Sequence, residues 1–455
     1  MSAIVRSALE HLESHFTPYS ACFASATRSV DEAATLYIRG LFQSRKANME
    51  QMAEVVADSH YQRLHHMLSE SAWDRRGVYR QLVRDANGAF ASRGPCAFVI
   101  DESGLSKKGE KSAGVARQWN GRLGKTDNCQ VGVFGAITCE GVAALVDEEL
   151  YLPKQWTSDP ARCEQAGIPE HAWESRTKGQ IAFEMVMRAR RAGLQFAYSV
   201  IDGGYGHLPW LLRDLDAEGE IFLAEVHSDQ RIYLEDPAPS VPARRSGKGK
   251  APSALATAIR PETVSEWAAR QPHSHWRRLS VREGEKGKVI AEYLSARVFV
   301  WDAHSPHARH WHLLVRRELD GSQIKFCLSN AKPKASLRHL ATMQASRHFV
   351  ERAFEDAKGH CGMADYQVRL WNGWHHHMCL VMIAMMFLAK ERLANRETAK
   401  LLSCRDVVEM LRHRLPSKIE SEDDLVQSIV ERHEQRRRAM ESAYKRQAAI
   451  LNASG

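Results

Sequence analysis

The sequence lacks any C-x-x-C pair, although its 455 residues include nine cysteines. Widely spaced cysteines in odd number are not the pattern of a disulfide framework or of a structural zinc site. They indicate reduced thiols and a cytosolic setting.

A long apolar run and a secretory leader are also missing. The longest apolar run, residues 378–389, is too short to span a bilayer and is typical of a buried core helix. No basic segment followed by an apolar one stands at the start of the sequence, so secretion is not expected. We therefore expect a cytoplasmic protein without a membrane partner.

Length and charge bound the class only loosely. The chain is long enough for two or three domains with a sizeable core. Its formal net charge of +8 and pI near 9.0 favour a polyanionic partner, but such an excess is common in proteins without one. Charge alone barely raises the expectation of nucleic-acid binding.

Residues 1–90 have the spacing of helix faces throughout and form the first predicted region. Residues 49–57 and 62–70 resemble two short helices joined by a turn at Asp58 and Ser59. This is compatible with a helix-turn-helix whose second helix enters a major groove. A small helical bundle that packs on the next domain is about as consistent with the pattern.

Residues 91–228 change to alternating strands and helices. Strands are predicted at 96–101, 129–138, Val142–Leu150, 196–202 and 221–226, and helices at 177–192 and 205–216. Between the first two strands we expect a loop rich in glycine and lysine. This order predicts an α/β domain with a mixed sheet and flanking helices.

Residues 229–334 read as a β-rich insertion, with strands at 286–302, 311–318 and 323–329 and a mobile basic loop at 237–253. Helices are predicted for 335–395, as the last part of the α/β domain, and for a C-terminal region at 396–455. The basic run of the last helix is more typical of a solvated face than of DNA contact. Trp301 and Trp311 fit core packing better than stacking on a flipped base. Adjacent His375, His376 and His377 are read as buried or capping residues rather than metal ligands.

Three carboxylates carry the chemical signal. Asp101 and Asp202 each end an apolar strand, where open α/β sheets place functional residues. Glu351 lies on the polar side of a predicted helix at 344–358, between two cations. Taken singly, each is more often a loop cap or a surface ion pair. Together they form a set of oxygen ligands that suits divalent cations in phosphodiester chemistry.

Two neighbouring carboxylates compete for these roles. Glu102 points to the opposite face of its strand from Asp101, and Asp101 is the first polar residue after an apolar run. Glu355 lies one turn beyond Glu351, closer to the edge of the polar stripe. We therefore prefer Asp101 and Glu351.

Four segments carry a resemblance to a known family: DESGLSKKG at 101–109, GVARQWNGRLGKTDNCQVG at 114–132, LYLPKQW at 150–156 and FEDAKG at 354–359. The sequence resembles the DDE transposases of bacterial insertion sequences, nearest to the insertion-sequence-701 family, over most of its length. The resemblance implies an RNase-H-like catalytic domain interrupted by a β insertion, and a helical DNA-binding region before it.

The wider group surrounds its catalytic glutamate with Y-x-x-R-x-x-x-E-x-x-x-x-x-x-K. Arg347, Glu351 and Lys358 match this spacing, while Gln344 stands in place of the tyrosine. The resemblance implies that Asp101, Asp202 and Glu351 bind two Mg²⁺ ions, with Mn²⁺ able to substitute, and that Arg347 and Lys358 hold phosphate. Asp202 is followed by glycine rather than by the acidic residue of close relatives.

The loop predicted between the first two strands is basic and could contact DNA. DNA contact and a solvated loop are equally consistent with its five cations, which are Lys107, Lys108, Arg117, Arg122 and Lys125.

The implied activity is Mg²⁺-dependent cleavage at transposon ends and strand transfer into target DNA. Double-stranded DNA is then the partner, the working complex is at least a homodimer, and the bound protein lies at the bacterial nucleoid. Two alternatives stay open: a domesticated DNA-binding or regulatory protein, and a metal-dependent nuclease without strand transfer.

Overall fold

The computed structural model describes residues 2–24, 29–243, 252–284 and 287–453. The helices of its first half are α1 Ser2–Phe16, α2 Asp31–Gln43, α3 Met49–Val55, α4 Tyr61–His65, α5 Arg75–Phe90, α6 Lys154–Thr157, α7 Pro160–Gln165, α8 Lys178–Arg191, α9 Gly203–Gly206 and α10 Pro209–Ala217. Those of the second half are α11 Val264–Ala269, α12 Leu337–Ser346, α13 His348–His360, α14 Trp371–Ala394, α15 Cys404–Arg414 and α16 Glu422–Ala453.

The strands are β1 Ala97–Ser106, β2 Ala116–Asn120, β3 Lys125–Cys139, β4 Val142–Leu150, β5 Tyr198–Ile201, β6 Phe222–Val226, β7 Arg231–Ile232, β8 Glu262–Thr263, β9 Arg277–Gly284, β10 Gly287–Val300, β11 Arg309–Arg317 and β12 Ile324–Ser329. All but β7 and β8 belong to one sheet of ten strands.

The centre of this sheet runs in the order β4-β3-β1-β5-β6. β4, β3 and β1 are antiparallel neighbours, whereas β1, β5 and β6 are parallel, with α8 and then α9 and α10 as crossovers. The predicted α/β class, with an RNase-H-like mixed sheet and flanking helices, is confirmed.

The strands of residues 229–334 continue the same sheet. β12 pairs antiparallel with β6, and β11, β10 and β9 follow in order. All three predicted strands of this region are present, although residue 286 lies outside the described residues, as do residues 244–251 of the predicted loop at 237–253. The domain boundaries drawn from the sequence stay a prediction.

The loop predicted between the first two strands is wrong in part. β1 continues past Asp101 to Ser106, paired with β3 along its whole length, and residues 116–120 form β2 on the other end of β3. Long antiparallel pairing with β3 overrides the local signal of the glycines here. Arg117 therefore lies on a strand, and Lys125 begins one.

The predicted helix at 344–358 is two helices. α12 ends at Ser346 and α13 begins at His348, and Arg347 forms the joint between them. At this joint the amides of Arg347 and Val350 bond to carbonyls three residues back, at 3.3 and 3.2 Å, instead of four. Arg347 itself keeps helical backbone angles, with φ of −59° and ψ of −37°, so the helical spacing in which its position was read is retained.

The N-terminal helices pack around α14, which is buried along nearly its entire length. The three consecutive histidines of this helix have three different partners. His375 Nδ1 lies 2.7 Å from a Glu148 oxygen, His376 Nδ1 is 2.8 Å from the Leu68 carbonyl oxygen, and His377 Nδ1 is 2.9 Å from the Tyr37 hydroxyl. The interpretation of these histidines as buried residues is confirmed.

Two of these histidines make stability depend on pH. Burial lowers the pKa of His376 and of His377 from 6.5 to about 3, so the folded protein keeps both neutral while the unfolded chain protonates them below about 6.5. Stability is therefore lost as pH falls through that value, by roughly 2 kcal/mol per histidine at about pH 5. Urea unfolding at a series of pH values measures this loss.

A histidine variant provides the control for that series. His376→Gln removes one titrating group and is expected to flatten the acid limb, whereas His413→Gln, at an exposed position of α15, leaves it unchanged. Equal limbs for wild type and His376→Gln would contradict the assignment.

The predicted helix-turn-helix segment contains α3 and α4, followed by a π-helical turn over His66–Glu70. Tyr61, Gln62 and Arg63 are exposed on α4, and Arg63 forms an ion pair with Glu32 of α2. Leu64, Met67 and Leu68 are buried against the other helices. Bundle packing is thus observed, and a DNA contact for this segment stays a prediction.

Trp311 is buried and packs edge-on against Phe222, with 5.1 Å between ring centroids. The core interpretation of Trp311 is confirmed. Trp301 is half-buried, and its indole nitrogen donates to the Ser305 carbonyl at 2.7 Å.

The predicted C-terminal helix is α16, most of whose side chains are exposed. Among the described residues, no helix combines the length and apolar character that a membrane crossing requires.

Gly206 allows α9 to approach the neighbouring strand β6. A Cβ atom at this position would stand 1.9 Å from the Glu225 carbonyl oxygen, which is backbone and cannot rotate away. Gly206→Ala is therefore expected to lower the free energy of unfolding by about 1–3 kcal/mol, as overpacking does. Gly88→Ala, in α5 where a Cβ meets nothing within 4 Å, should be neutral or stabilising in the same urea titration.

Candidate active site

Three parallel strands place three carboxylates side by side. The register pairs Ile100 of β1 with Ile201 of β5, and Ile201 with Ala224 of β6. The next residue on each strand is acidic: Asp101, Asp202 and Glu225. Because residues in register point to the same face, these side chains form a row across the carboxyl edge of the parallel strands.

Arg347 lies over this row and contacts all three of its members. Its guanidinium nitrogens are 3.8 Å from Asp101, 3.9 Å from Asp202 and 3.5 Å from Glu225. It also donates a hydrogen bond of 2.8 Å to Glu351, one turn along α13. One cation thus joins four carboxylates, and it brings the three predicted acids, Asp101, Asp202 and Glu351, into one cluster.

Burial gives this cluster an unusual charge state. It raises the pKa of Asp101 to about 7, and the adjacent Asp202 adds to that rise. Burial raises the pKa of Asp202 as well, against the opposing effect of Arg347. In contrast, His348 at 3.8 Å and then Arg347 lower the pKa of Glu351, whose side chain is half exposed. The raised pKa values of Asp101 and Asp202 show that Arg347 does not fully offset the cost of ionising both carboxylates.

The apolar side of α13 fixes Glu351 above the sheet. Val350, Ala353, Phe354 and Ala357 are buried, and Phe354 packs edge-on against Phe134 of β3 with 5.5 Å between ring centroids. This side of α13 thus packs on the sheet, whereas Phe349 is only half-buried.

The two competing carboxylates have other partners. Glu102 pairs with Lys178 of α8 at 2.6 Å, on the opposite face of β1 from Asp101. Glu355 is exposed and pairs with Arg352 at 3.0 Å. Neither contacts Arg347 within ion-pair distance among the described residues.

Lys358 is the second predicted cation that the fold brings near the acids. Burial lowers its pKa to about 8, nearby Arg122 lowers it further, and the charge of Asp101 opposes both. Its ammonium lies 5.7 Å from the Phe354 ring centroid. Lys358 and Arg122 therefore form a positive pair at the edge of the acid cluster.

The remaining predicted cations are not gathered there. Lys107 points inward, with its ammonium 3.1 Å from the Tyr366 carbonyl oxygen and 3.3 Å from the ring centroid of the same residue, and burial lowers its pKa to about 7. Lys108, Arg117 and Lys125 are exposed around β2 and the start of β3.

Sequence reasoning missed three residues of this site. Glu225 forms ion pairs with Arg347 and with Lys325 of β12, the latter at 3.0 Å. Tyr205 is buried beside the acids, and its hydroxyl has no hydrogen-bond partner among the described residues. Glu225 could have been found by the signal used for Asp101, because it is the first polar residue of an apolar strand. Nothing local marks Lys325 or Tyr205.

The donor set fits a divalent cation. Asp101, Asp202 and Glu351 supply the carboxylate oxygens that Mg²⁺ prefers, and one oxygen of Asp202 is buried without a hydrogen-bond partner. Among the described residues, no three acidic, histidine or cysteine side chains are spaced as a ready metal cage. Arg347 contacts each of these carboxylates and stands between them.

A mixed sheet with carboxylates at the ends of its parallel strands, completed by a helical glutamate, defines the class of metal-dependent nucleases of RNase-H-like fold. The chain matches the profile of the DDE superfamily endonucleases over residues 18–288, and it belongs to that family. The resemblance found in the sequence is thereby confirmed. Nucleases of this family use divalent metal ions.

The chain is also similar to one curated protein and to one solved structure. Over 181 residues the chain is 30% identical to the probable transposase for insertion sequence element IS701 of Microchaete diplosiphon, covering 39% of this chain and 44% of the relative. The chain thus matches less than half of that relative's length. A cryo-EM structure of the piggyBac transposase synaptic complex with hairpin DNA aligns with a TM-score of 0.40 at 10% identity, over 91% of this chain and 77% of that one.

Proposed function

We propose that this protein is a transposase that cleaves double-stranded DNA at transposon ends and joins the freed ends to target DNA, with Mg²⁺ as its cofactor. The observation that carries the proposal is the convergence of Asp101, Asp202 and Glu351 on Arg347 at the edge of three parallel strands. Membership of the DDE superfamily endonucleases and similarity to a probable insertion-sequence transposase support it.

In this proposal Asp101, Asp202 and Glu351 bind two Mg²⁺ ions, for which Mn²⁺ substitutes. The bound ions supply charge stabilisation and activate an attacking oxygen in phosphodiester displacement. Asp101 is buried and Asp202 is partly buried, which limits the access of bulk water to these two carboxylates, and the packing of Phe354 holds Glu351 over the strand ends. The chain thus contributes a fixed arrangement of the acidic side chains.

Arg347 and Lys358 have the role of phosphate contacts. In the metal-free protein Arg347 offsets the charge of the acids, and bound cations would release its guanidinium for a phosphate oxygen. Lys358 and Arg122 extend positive charge from the acids toward Lys108, Arg117 and Lys125, which are proposed to contact the DNA backbone. We do not extend this role to Lys107, because its ammonium is turned toward Tyr366.

Lys358 provides a test of backbone contact. Lys358→Met is expected to weaken DNA binding about tenfold for every sequence alike and to reduce the salt dependence by about one counterion. Lys358→Arg keeps the charge and should retain most of the affinity. Titrations of labelled duplex at several salt concentrations measure both effects, and an unchanged salt slope for Lys358→Met would contradict a phosphate contact.

Homodimer formation belongs to the same proposal, because strand transfer joins two ends in one complex. Size measurement by light scattering, with and without end-bearing duplex, tests it. A monomer carrying one duplex under conditions that support joining would contradict the proposed dimer.

The function itself is tested with Mg²⁺ and labelled duplexes that carry the DNA flanking the gene, in which a transposase requires inverted repeats. Cleavage at the repeat boundary followed by joined products supports a transposase. Cleavage without joining supports a nuclease without strand transfer, and binding without cleavage supports a regulatory protein. Asp202→Ala is the control in each assay, since cleavage that persists in this variant would show that the acid cluster is not the site.

A further inference from the structure

Two buried cysteines, Cys96 and Cys139, lie at one end of the β1–β3 pair of the sheet. The register of β1 and β3 is unbroken up to Ala97 opposite Thr138, and continuing it by one residue beyond β1 sets Cys96 opposite Cys139. Directly opposed residues of antiparallel strands have Cα atoms about 4.5–5.5 Å apart, within the range that a disulfide requires. Their side chains point to the same face of the sheet.

We propose that Cys96 and Cys139 form a modification site, at which a peroxide converts the two thiols into a disulfide that a thiol reductant reverses. Both thiols are free in the structure. The inference is independent of the proposed function, because it concerns bond formation within the chain.

Cys139 is the nucleophile in this proposal. The Cys96 thiol lowers the pKa of Cys139, against the effects of burial and Glu140, and Arg396 and Arg93 lower it further. The pKa of every other cysteine of the chain is raised. A thiolate is the form that reacts with peroxides, and we assign the attack to Cys139 because it adjoins the turn that Arg396 and Arg93 contact.

The turn that follows Cys139 holds Arg396 and Arg93 in place. Cys139 precedes the β3–β4 turn, in which Glu140 adopts a left-handed backbone with φ of 50°. Arg396 donates a hydrogen bond of 2.6 Å to the Glu140 carbonyl and pairs with its carboxylate at 3.3 Å, while Arg93 lies 3.8 Å from that carboxylate. A cavity of about 840 Å³ is lined by Gly141 of this turn, two residues after Cys139.

The reaction balances in two steps. The Cys139 thiolate attacks one peroxide oxygen, the O–O bond breaks, and hydroxide leaves and takes up a proton to become water, so that Cys139 is left as a sulfenic acid. The Cys96 sulfur then attacks the Cys139 sulfur, the S–O bond breaks, and the second oxygen leaves as water with the Cys96 proton. The two thiols lose two electrons together, and hydrogen peroxide is reduced to two molecules of water.

The test uses the full, reduced chain and hydrogen peroxide. Free thiols are alkylated after the reaction, the protein is digested without reduction, and the peptides are mapped by mass spectrometry. We expect the number of titratable thiols to fall from nine to seven, one linked peptide pair containing Cys96 and Cys139, and full reversal by dithiothreitol. Unchanged thiols, or a linkage between other cysteines, would overturn the proposal.

Variants separate this pair from general oxidation. Cys139→Ser and Cys96→Ser should each abolish the linked peptide. Cys404→Ser is the control, because Cys404 lines the cavity that reaches the β3–β4 turn but burial raises its pKa to about 12, and this variant should form the bond as the wild type does. Equal loss in Cys404→Ser would overturn the assignment. Peptide mapping of the wild type decides the question even where a serine variant folds poorly.

Discussion

Asp101→Asn, Asp202→Asn and Glu351→Gln are each expected to lower the rate of Mg²⁺-dependent DNA cleavage by about 10³-fold or more. A loss of this size corresponds to about 4 kcal/mol of transition-state stabilisation, which is the scale of a metal-ion contribution. The amides keep the shape of the carboxylates and lose the charge that binds a cation. Single-turnover cleavage of labelled duplex measures the effect, and thermal unfolding verifies that each variant is folded.

Neighbouring carboxylates supply matched controls for this series. Glu102→Gln changes the next residue of β1, which pairs with Lys178, and Glu355→Gln changes a residue one turn after Glu351, which pairs with Arg352. Both should cleave within about tenfold of wild type, because exposed or half-exposed ion pairs contribute about 1 kcal/mol at most. If Glu355→Gln lost activity while Glu351→Gln kept it, the helical acid would be assigned to the wrong turn.

How far the sequence predicts this site depends on the range of the interactions involved. Asp101 and Asp202 follow apolar strand segments, and this local pattern was sufficient to select them. Their adjacency comes from parallel pairing, in which Ile100 meets Ile201, and no local signal encodes that register. Pairing of β5 with β6 also brings Glu225 to the site. Its strand has the same apolar pattern, but the family motif includes no acidic residue at that position.

Errors in the fold prediction have the same origin. The continuation of β1 to Ser106 and the formation of β2 depend on pairing with β3, whereas the glycines of this stretch suggested a loop. Helical periodicity placed Arg347 and Glu351 on the polar side of one helix. That placement holds, but the guanidinium also reaches acidic residues at the ends of three strands, a contact that becomes visible only once α12 and α13 are packed on the sheet.

Arg347→Gln is expected to destabilise the metal-free protein by about 3 kcal/mol or more, because it leaves buried Asp101 and partly buried Asp202 without their shared cation. Addition of Mg²⁺ should then stabilise the variant more than the wild type, since the cation no longer competes with a guanidinium for the same carboxylates. Cleavage should nevertheless remain low, because the variant also lacks the proposed phosphate contact. Urea unfolding with and without Mg²⁺, combined with the cleavage assay, measures all three effects.

Arg405→Gln is the matched control for this prediction. Arg405 and Glu409 of α15 have the same helical spacing and nearly the same distance as Arg347 and Glu351, 2.9 Å against 2.8 Å, but their pair is exposed and away from the acid row. This variant should change stability by less than about 1 kcal/mol and should respond to Mg²⁺ as the wild type does. If Mg²⁺ stabilised Arg347→Gln no more than wild type, Arg347 would not occupy the position of the metal. The contacts of Arg347 with the four carboxylates would then be structural ion pairs rather than the place of a bound metal ion.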